Sequence, residues 1–257
     1  MARLSRLRAY PVKGLDGIDL ETAAIREGGT IARDREFALF DADGEVVNGK
    51  RTDRVHDLNT DFDPDTGDLT VETADGERRQ FALEREREAA AEWFSEVFDA
   101  DLSLERDTTL GFVDRREMGP SVISTATLET VADWFDDLTV DGARRRLRAN
   151  IEVSGVDPFW EDRFVGTDAP AFELGDVRLE GVTPCGRCVV PQRDPDTGEP
   201  TPEFRNRFIT KREETFPEWA DADAFDHYYT VMVITRIAER DRGKALSVGD
   251  SVEVVDP

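Results

Sequence analysis

FELGDVRLEGVTPCGRCVVPQ, residues 172–192, has the pattern of a strand, a tight turn and a second strand. The second strand runs into Cys185 and Cys188, which are the two cysteines of the chain. A turn-rich tail, RDPDTGE (193–199), follows them. The stretch therefore predicts antiparallel β-structure that delivers both thiols to one place.

The same alternation of strands and turns recurs along the chain. Hairpins are predicted over 35–51, 68–83 and 246–256, together with a buried strand over 227–240. Two helices are predicted: residues 84–100 form one, and a short strand leads into the other within 121–138. A weaker helix is predicted near PEWADADAF (217–225). No regular βαβ alternation is visible, so the pattern indicates an α+β fold dominated by antiparallel strands, and not a doubly wound nucleotide fold.

A loop over residues 105–120 divides this pattern. We expect two domains, an N-terminal one over 1–110 and a larger C-terminal one over 111–257.

Charge excludes several classes of function. The 257 residues include 57 acidic and 33 basic ones, for a net charge of −24. Such a chain has no positive field for generic nucleic-acid binding. No apolar run reaches the length of a membrane span, and no signal-peptide core is present, so we expect a cytoplasmic protein without membrane or nucleic-acid partners. Only four basic residues are lysines, and this acidic, lysine-poor composition is typical of a halophilic archaeon.

The spacing of Cys185 and Cys188 leaves four interpretations open. A structural zinc site needs four ligands, but His56 and His227 lack the paired spacing of a zinc motif. A redox dithiol normally opens a helix, whereas prolines follow this pair. Two buried small side chains in a strand turn would be purely structural. Finally, Arg187 between the thiols favours a thiolate, the form that a soft metal requires.

Basic residues form two candidate anion sites. RRRLRAN (144–150) concentrates four arginines, and Arg148 precedes a predicted strand beside Asn150. Arg33 and Arg35 stand before another strand, and Lys13 lies next to Gly14 in YPVKG. Planar guanidinium groups bind phosphate well, but a solvated stripe paired with carboxylates would look the same in the sequence.

Three segments together resemble the MOSC family in order and spacing. They are YPVKG with RDREF, RLRANIEVSG (146–155) and TPCGRCVVPQRDPDTGE (183–199). The chain is most similar to the two-part members, which include the amidoxime-reducing components. The resemblance implies an N-terminal β-barrel-like domain followed by a MOSC β-barrel with peripheral helices.

The resemblance also implies a molybdenum cofactor, a molybdopterin whose metal takes one protein cysteine as a ligand. By position, Cys188 is that catalytic and metal-binding residue, and Cys185 is a neighbour of unassigned role. The implied contacts to the cofactor fall on Lys13, Arg35, Ser121, Ser124, Arg148, Asn150, Gly186, Arg187 and Tyr228.

The activity that the resemblance implies is reduction of N-oxygenated, chiefly N-hydroxylated, small compounds. Two cysteines cannot hold an iron–sulfur cluster, so we expect electrons from a separate ferredoxin- or flavoprotein-type donor. The alternative is a cofactor carrier or a sulfur-transfer module. MOSC domains also occur fused to pyridoxal-phosphate-dependent sulfurases, and in such a role Cys185 or Cys188 would hold a persulfide and Lys13 a Schiff base.

Overall fold

The computed structural model describes all 257 residues, which form fifteen strands and four α-helices. The strands of the N-terminal half are β1 (Arg3–Ala9), β2 (Ile18–Leu20), β3 (Thr22–Ala24), β4 (Phe37–Asp41), β5 (Leu58–Phe62), β6 (Asp68–Thr73), β7 (Arg78–Ala82) and β8 (Leu102–Arg106). Those of the C-terminal half are β9 (Ser121–Ser124), β10 (Ile151–Ser154), β11 (Ala171–Leu174), β12 (Val177–Gly186), β13 (Thr230–Ile237), β14 (Ala245–Ser247) and β15 (Val252–Val255).

The helices are α1 (Arg87–Phe98), α2 (Thr125–Asp133), α3 (Val140–Leu147) and α4 (Phe204–Glu214). None of them combines the length and the apolar character that crossing a bilayer requires. The content of helix and strand confirms the predicted α+β class, with antiparallel pairing throughout except between β9 and β10.

One eight-stranded sheet forms the centre of the fold, in the order β15-β11-β12-β13-β9-β10-β1-β2. The first two strands of the chain thus join a sheet that is otherwise built from the C-terminal half. Strand pairing therefore crosses the boundary predicted at 110/111, because β1 pairs with β10 along its length. A buried cluster that includes Leu7, Val122, Phe172 and Val233 fills one face of this sheet.

The sheets of the barrel-like domains that the resemblance implies are not closed. The large sheet has two edges, β15 and β2, which are not paired with each other. Next to these edges the chain bends, and the short strands β3 and β14 pair in a separate two-stranded sheet. In the N-terminal half, β4 pairs with β8 and β5-β6-β7 form a meander, so no single ladder runs round that half either. Its core packs α1 through Trp93, Phe94 and Phe98 against these two sheets.

The predicted hairpin over 246–256 is wrong. Its strands β14 and β15 pair with β3 and β11, respectively, and not with each other. The backbone of Leu4 explains this, because its N–H donates to the Asp250 carbonyl at 2.9 Å and its carbonyl accepts from Gly249 N–H at 2.8 Å. The start of β1 therefore forms hydrogen bonds with the backbone of the turn between β14 and β15.

Sequence patterning also missed helix α4 and placed a helix too late, over 217–225, where only a single turn at Ala222–Ala224 forms. The buried face of α4 consists of Phe204, Phe208 and Arg212. A charged residue in that face hides the apolar periodicity by which helices are recognised. Burial of Arg212 is possible because it pairs with Asp162, which is also buried.

Glu161 is the neighbour of that ion pair and has no cation of its own. Its side chain is fully buried, one oxygen accepts from Ser124 N–H at 3.3 Å, and the other has no hydrogen-bond partner. Burial, together with the charge of Asp162, raises the pKa of Glu161 from 4.5 to about 7.

We therefore predict that the free energy of unfolding falls as pH rises from about 4.5 to about 7, because over this window the unfolded chain loses a proton that folded Glu161 retains. Glu161→Gln removes the ionisable group. It should be more stable than the parent by on the order of 3 kcal/mol at pH 8 and equal to it near pH 4. Urea unfolding at several pH values measures this, with Glu129→Gln, exposed on α2, as the control. Equal gains at both pH values would contradict the assignment.

Candidate functional site

A cavity of about 430 Å³ lies where the two halves of the chain meet, a volume suited to a small molecule or cofactor. Its lining includes ten arginines and lysines but only three acidic residues, in a chain whose net charge is −24. The segments that contribute are the turn after β1, residues 30–35, the loops 48–58, 113–121 and 185–195, the end of α3 and part of β13. The cavity therefore concentrates positive charge that the rest of the surface lacks.

The two cysteines reach this cavity at the end of β12, and both thiols are free. They are not equivalent. Arg187 donates a hydrogen bond from Nη1 to Cys185 Sγ at 3.0 Å, whereas the Cys188 thiol forms no hydrogen bond within the protein. Arg187 stands between the two thiols in the sequence, but its guanidinium contacts only Cys185 of the two, and it also donates to the Leu147 carbonyl, 2.8 Å away. Cys188 is left as the thiol with free coordination capacity.

Tyr10 forms the centre of a second feature of the cavity. The guanidinium of Arg148 lies 4.0 Å from the centre of its ring, and that of Arg35 lies 5.3 Å from it. Arg35 pairs with Asp34, but Arg148 has no carboxylate partner and donates only to the Leu15 carbonyl at 2.7 Å. Burial lowers the pKa of Arg148, but an arginine stays charged in proteins. Arg148 is therefore a partly buried cation without a counter-ion.

The backbone at both arginines is unusual. Arg35 and Arg148 have φ angles of 48° and 56°, in the left-handed region that side-chain-bearing residues rarely occupy. Arg148 occupies it as the residue that ends α3, and its N–H still bonds the Arg144 carbonyl at 3.0 Å. Such conformations cost on the order of 1 kcal/mol or more and concentrate at functional sites.

A third feature stands beside the same cavity. Lys13 and Lys50 both pair with Asp114 of the loop 113–121, the Lys13 contact being 2.6 Å. Partial burial opposes ionisation of Asp114, but hydrogen bonds from the two lysines hold its pKa well below the usual range. Sequence reasoning missed Lys50. Its signal was the rarity of lysine, since two of the four lysines meet on one carboxylate.

Ser121 and Asn150 line the cavity and hold each other. The Ser121 hydroxyl donates to Asn150 Oδ1 and accepts from Asn150 N–H, each at 3.1 Å, which fixes the start of β9 to the start of β10. Gly186 also lies in the lining. The remaining predicted residues, Ser124 and Tyr228, do not reach it. Ser124 caps α2 by accepting from Thr127 N–H at 2.9 Å, and Tyr228 packs edge-on against Phe216.

The DPDTG tail forms a tight turn at the cavity wall. Asp194 accepts hydrogen bonds from the N–H groups of Asp196 and Thr197, and the sequence DPDTG at 63–67 forms the same turn outside the cavity lining. The DPDTG sequence is thus enough to form the turn wherever it occurs in this chain. Its attachment is specific, because Arg146 pairs with Asp194 and Arg145 with Asp196, at 3.2 and 2.7 Å.

These features define what the cavity can bind. Cations from separate segments suit an anionic ligand with phosphate-like groups, and two half-buried ones, Arg148 and Arg187, have no carboxylate partner. A free thiol in the same lining suits a soft metal. No cluster of three or more histidine, cysteine or acidic side chains could hold a metal ion by itself.

Comparison with known proteins agrees with this architecture. The model of the MOSC N-terminal beta barrel domain matches residues 1–140, and that of the MOSC domain matches residues 117–253. Mitochondrial amidoxime-reducing component 1 from Homo sapiens is 25% identical over 236 residues, covering 76% of this chain and 67% of that protein. Mitochondrial amidoxime reducing component 2 from Bos taurus is 22% identical over 238 residues, with the same coverage.

Among solved structures, the YuaD protein from Bacillus subtilis aligns over 100% of this chain and 96% of its own, at 13% identity and a TM-score of 0.43. The two domain models together account for nearly the whole sequence, in the order that the sequence motifs indicated. The chain belongs to the MOSC family.

Proposed function

We propose that this protein binds a molybdenum cofactor in the cationic cavity and reduces N-oxygenated small compounds. One observation carries the proposal: the cavity unites a thiol that forms no hydrogen bond, Cys188, with two guanidinium groups that lack carboxylate partners, those of Arg148 and Arg187. Buried or half-buried cations are normally paired, so an unpaired set indicates that an anion completes it. The names of the two mitochondrial relatives support the reductive activity.

The chemistry of the lining fits this cofactor. A molybdopterin carries an anionic phosphate, and its metal takes a protein thiolate. Cys188 would hold the metal. Lys13, Arg35, Arg148 and Arg187 would neutralise the anion, while the side chains of Ser121 and Asn150 and the backbone of Gly186 would contribute polar contacts. Ser124 and Tyr228 lie outside the lining and are not part of the proposed set.

When bound, the cofactor supplies the two-electron chemistry that removes oxygen from nitrogen. The residues of this chain would bind the cofactor and orient it. The Tyr10 ring holds Arg148 and Arg35 in place. The hydrogen bond between Ser121 and Asn150 joins the starts of β9 and β10 at the cavity wall. Reduction of an N-hydroxy compound consumes two electrons and two protons and releases the amine and water. The chain has too few cysteines for an iron–sulfur cluster, so we propose an external electron-transfer protein as the donor.

Metal content of substituted proteins tests the ligand assignment. Cys188→Ala should lose molybdenum, because no other thiol in the lining is free of hydrogen bonds, whereas Cys185→Ala should retain it. Metal analysis of protein expressed with an intact pterin pathway measures this, and thermal melting verifies that both variants fold. Full molybdenum in Cys188→Ala would refute the assignment. A persulfide on either cysteine without bound pterin, detected by mass spectrometry, would favour the sulfur-transfer alternative.

Asp114 competes with any anion for Lys13 and Lys50. We predict that Asp114→Asn binds inorganic phosphate roughly two- to fivefold more tightly in the cofactor-free protein, as expected for loss of one partly exposed ion pair. Calorimetry at low ionic strength measures the affinity, because salt screens the effect. Asp176→Asn is the control, since it removes an acidic surface partner from Lys244, a lysine outside the cavity. Equal affinities in the parent and Asp114→Asn would show that the lysines do not bind the anion.

A further inference from the structure

Residues 113–118, here called the strap, form one part of the cavity wall, and four of the six line the cavity. Both ends of the strap are fixed by the backbone. Before it, Phe112 N–H donates to the Arg35 carbonyl at 2.7 Å. After it, Gly119 N–H donates to the Thr235 carbonyl at 2.6 Å. The strap therefore runs between two firm attachment points, one in each half of the sheet framework.

Between these points the strap has few contacts. Its backbone forms one hydrogen bond, from Met118 N–H to the Arg115 carbonyl at 3.1 Å, and this bond lies within the strap itself. None of its residues belongs to a buried hydrophobic cluster. Arg116 approaches Asp107 only to 4.0 Å. A segment with so few contacts opens locally at a small cost in free energy.

The carboxylate of Asp114 is the exception, because it joins the strap to the opposite side of the cavity. Its two oxygens contact Lys13 and Lys50, which come from separate segments of the N-terminal half. The Lys13 side chain is 14% exposed, that of Lys50 44% and that of Asp114 52%, so the bridge leads from the cavity out to its rim. A carboxylate between two ammonium groups occupies a place that a phosphate group could take.

We propose that the strap is an entry gate that Asp114 holds closed and that a phosphate group opens. In the ligand-free protein the Asp114 carboxylate substitutes for the anion. A phosphate-bearing ligand that takes over Lys13 and Lys50 leaves Asp114 without a cation, and the strap, which has no other firm hold, then moves away from the rim. The inference goes beyond the proposed function, because it concerns how any phosphate-bearing ligand enters and does not involve the metal.

Trypsin reports on the strap, since Arg115 and Arg116 are exposed cleavage sites within it. Cleavage of a folded chain follows the population of the locally open form. In the cofactor-free protein, saturating inorganic phosphate should speed cleavage after these two arginines by on the order of tenfold, as expected for the loss of two partly exposed ion pairs. Mass spectrometry of the fragments measures the rate at each site.

Two references isolate the effect of bound phosphate. Sodium chloride at the same ionic strength screens the ion pairs but takes no defined place between the lysines. A synthetic peptide of residues 107–121 corrects for any direct action of phosphate on trypsin.

Lys50→Gln tests whether Asp114 is the group that holds the strap. It removes one partner of Asp114 far in the sequence from the bonds that trypsin cuts, and Lys50 is not among the proposed cofactor contacts. Without phosphate, the strap should be cleaved roughly two- to fivefold faster than in the parent, and the further gain with phosphate should be smaller. Lys244→Gln is the control, because Lys244 also pairs with a carboxylate, that of Asp241 at 2.7 Å, but lies outside the cavity. Its strap should be cleaved at the parental rate.

Three results would overturn the gate. Cleavage of the strap that phosphate leaves unchanged, whether or not calorimetry detects bound phosphate, would show that the anion does not displace Asp114. Slower cleavage with phosphate would show that the ligand closes the strap. Parental cleavage of Lys50→Gln would show that Asp114 does not hold it. None of these results decides the proposed function, which the metal content of the cysteine variants tests separately.

Discussion

The packing of Arg148 on Tyr10 is the interaction on which the site depends. A guanidinium 4.0 Å from an aromatic ring is held without a carboxylate, so its charge remains available to a ligand. Tyr10 is fixed in turn by its N–H bond to Asp34 at 3.0 Å, and Asp34 also pairs with Arg35. One buried ring therefore sets the direction of two cations that come from opposite halves of the chain.

This arrangement is possible because β1 belongs to the central sheet. Its pairing with β10 brings the turn after β1 next to the end of α3, where Arg148 begins the link into β10. The cavity consequently lies between the halves, and neither half could form it alone. The N-terminal half contributes Tyr10, Lys13, Arg35 and His56, and the C-terminal half contributes Arg148, Arg187 and Cys188.

The cavity differs in charge from the rest of the chain, which is rich in acidic residues. Several arginines on the surface meet an acidic partner, as Arg145 meets Asp196 and Arg207 meets Asp136. In the cavity the balance is reversed, and two of the three lining carboxylates hold specific cations. Asp114 satisfies two lysines, and Asp34 satisfies one arginine. The cations left over, Arg148 and Arg187, are the groups with unused binding capacity.

The sequence by itself determined the α+β class, the family, and the motifs that supply part of the cavity lining. Strand periodicity and turn residues are local, and each of the motifs around Lys13, Arg35, Arg148 and Cys188 spans only a short stretch of sequence. Only the tertiary structure decided which neighbours share a cavity. Ser124 caps α2 and Tyr228 packs against Phe216, so neither residue lines the cavity. Lys50 and His56 do line it, although they belong to a loop without a distinctive sequence pattern. Barrel closure and the partner of Arg187 were likewise decided by long-range strand pairing and packing, since a local pattern carries no information about which strand lies alongside.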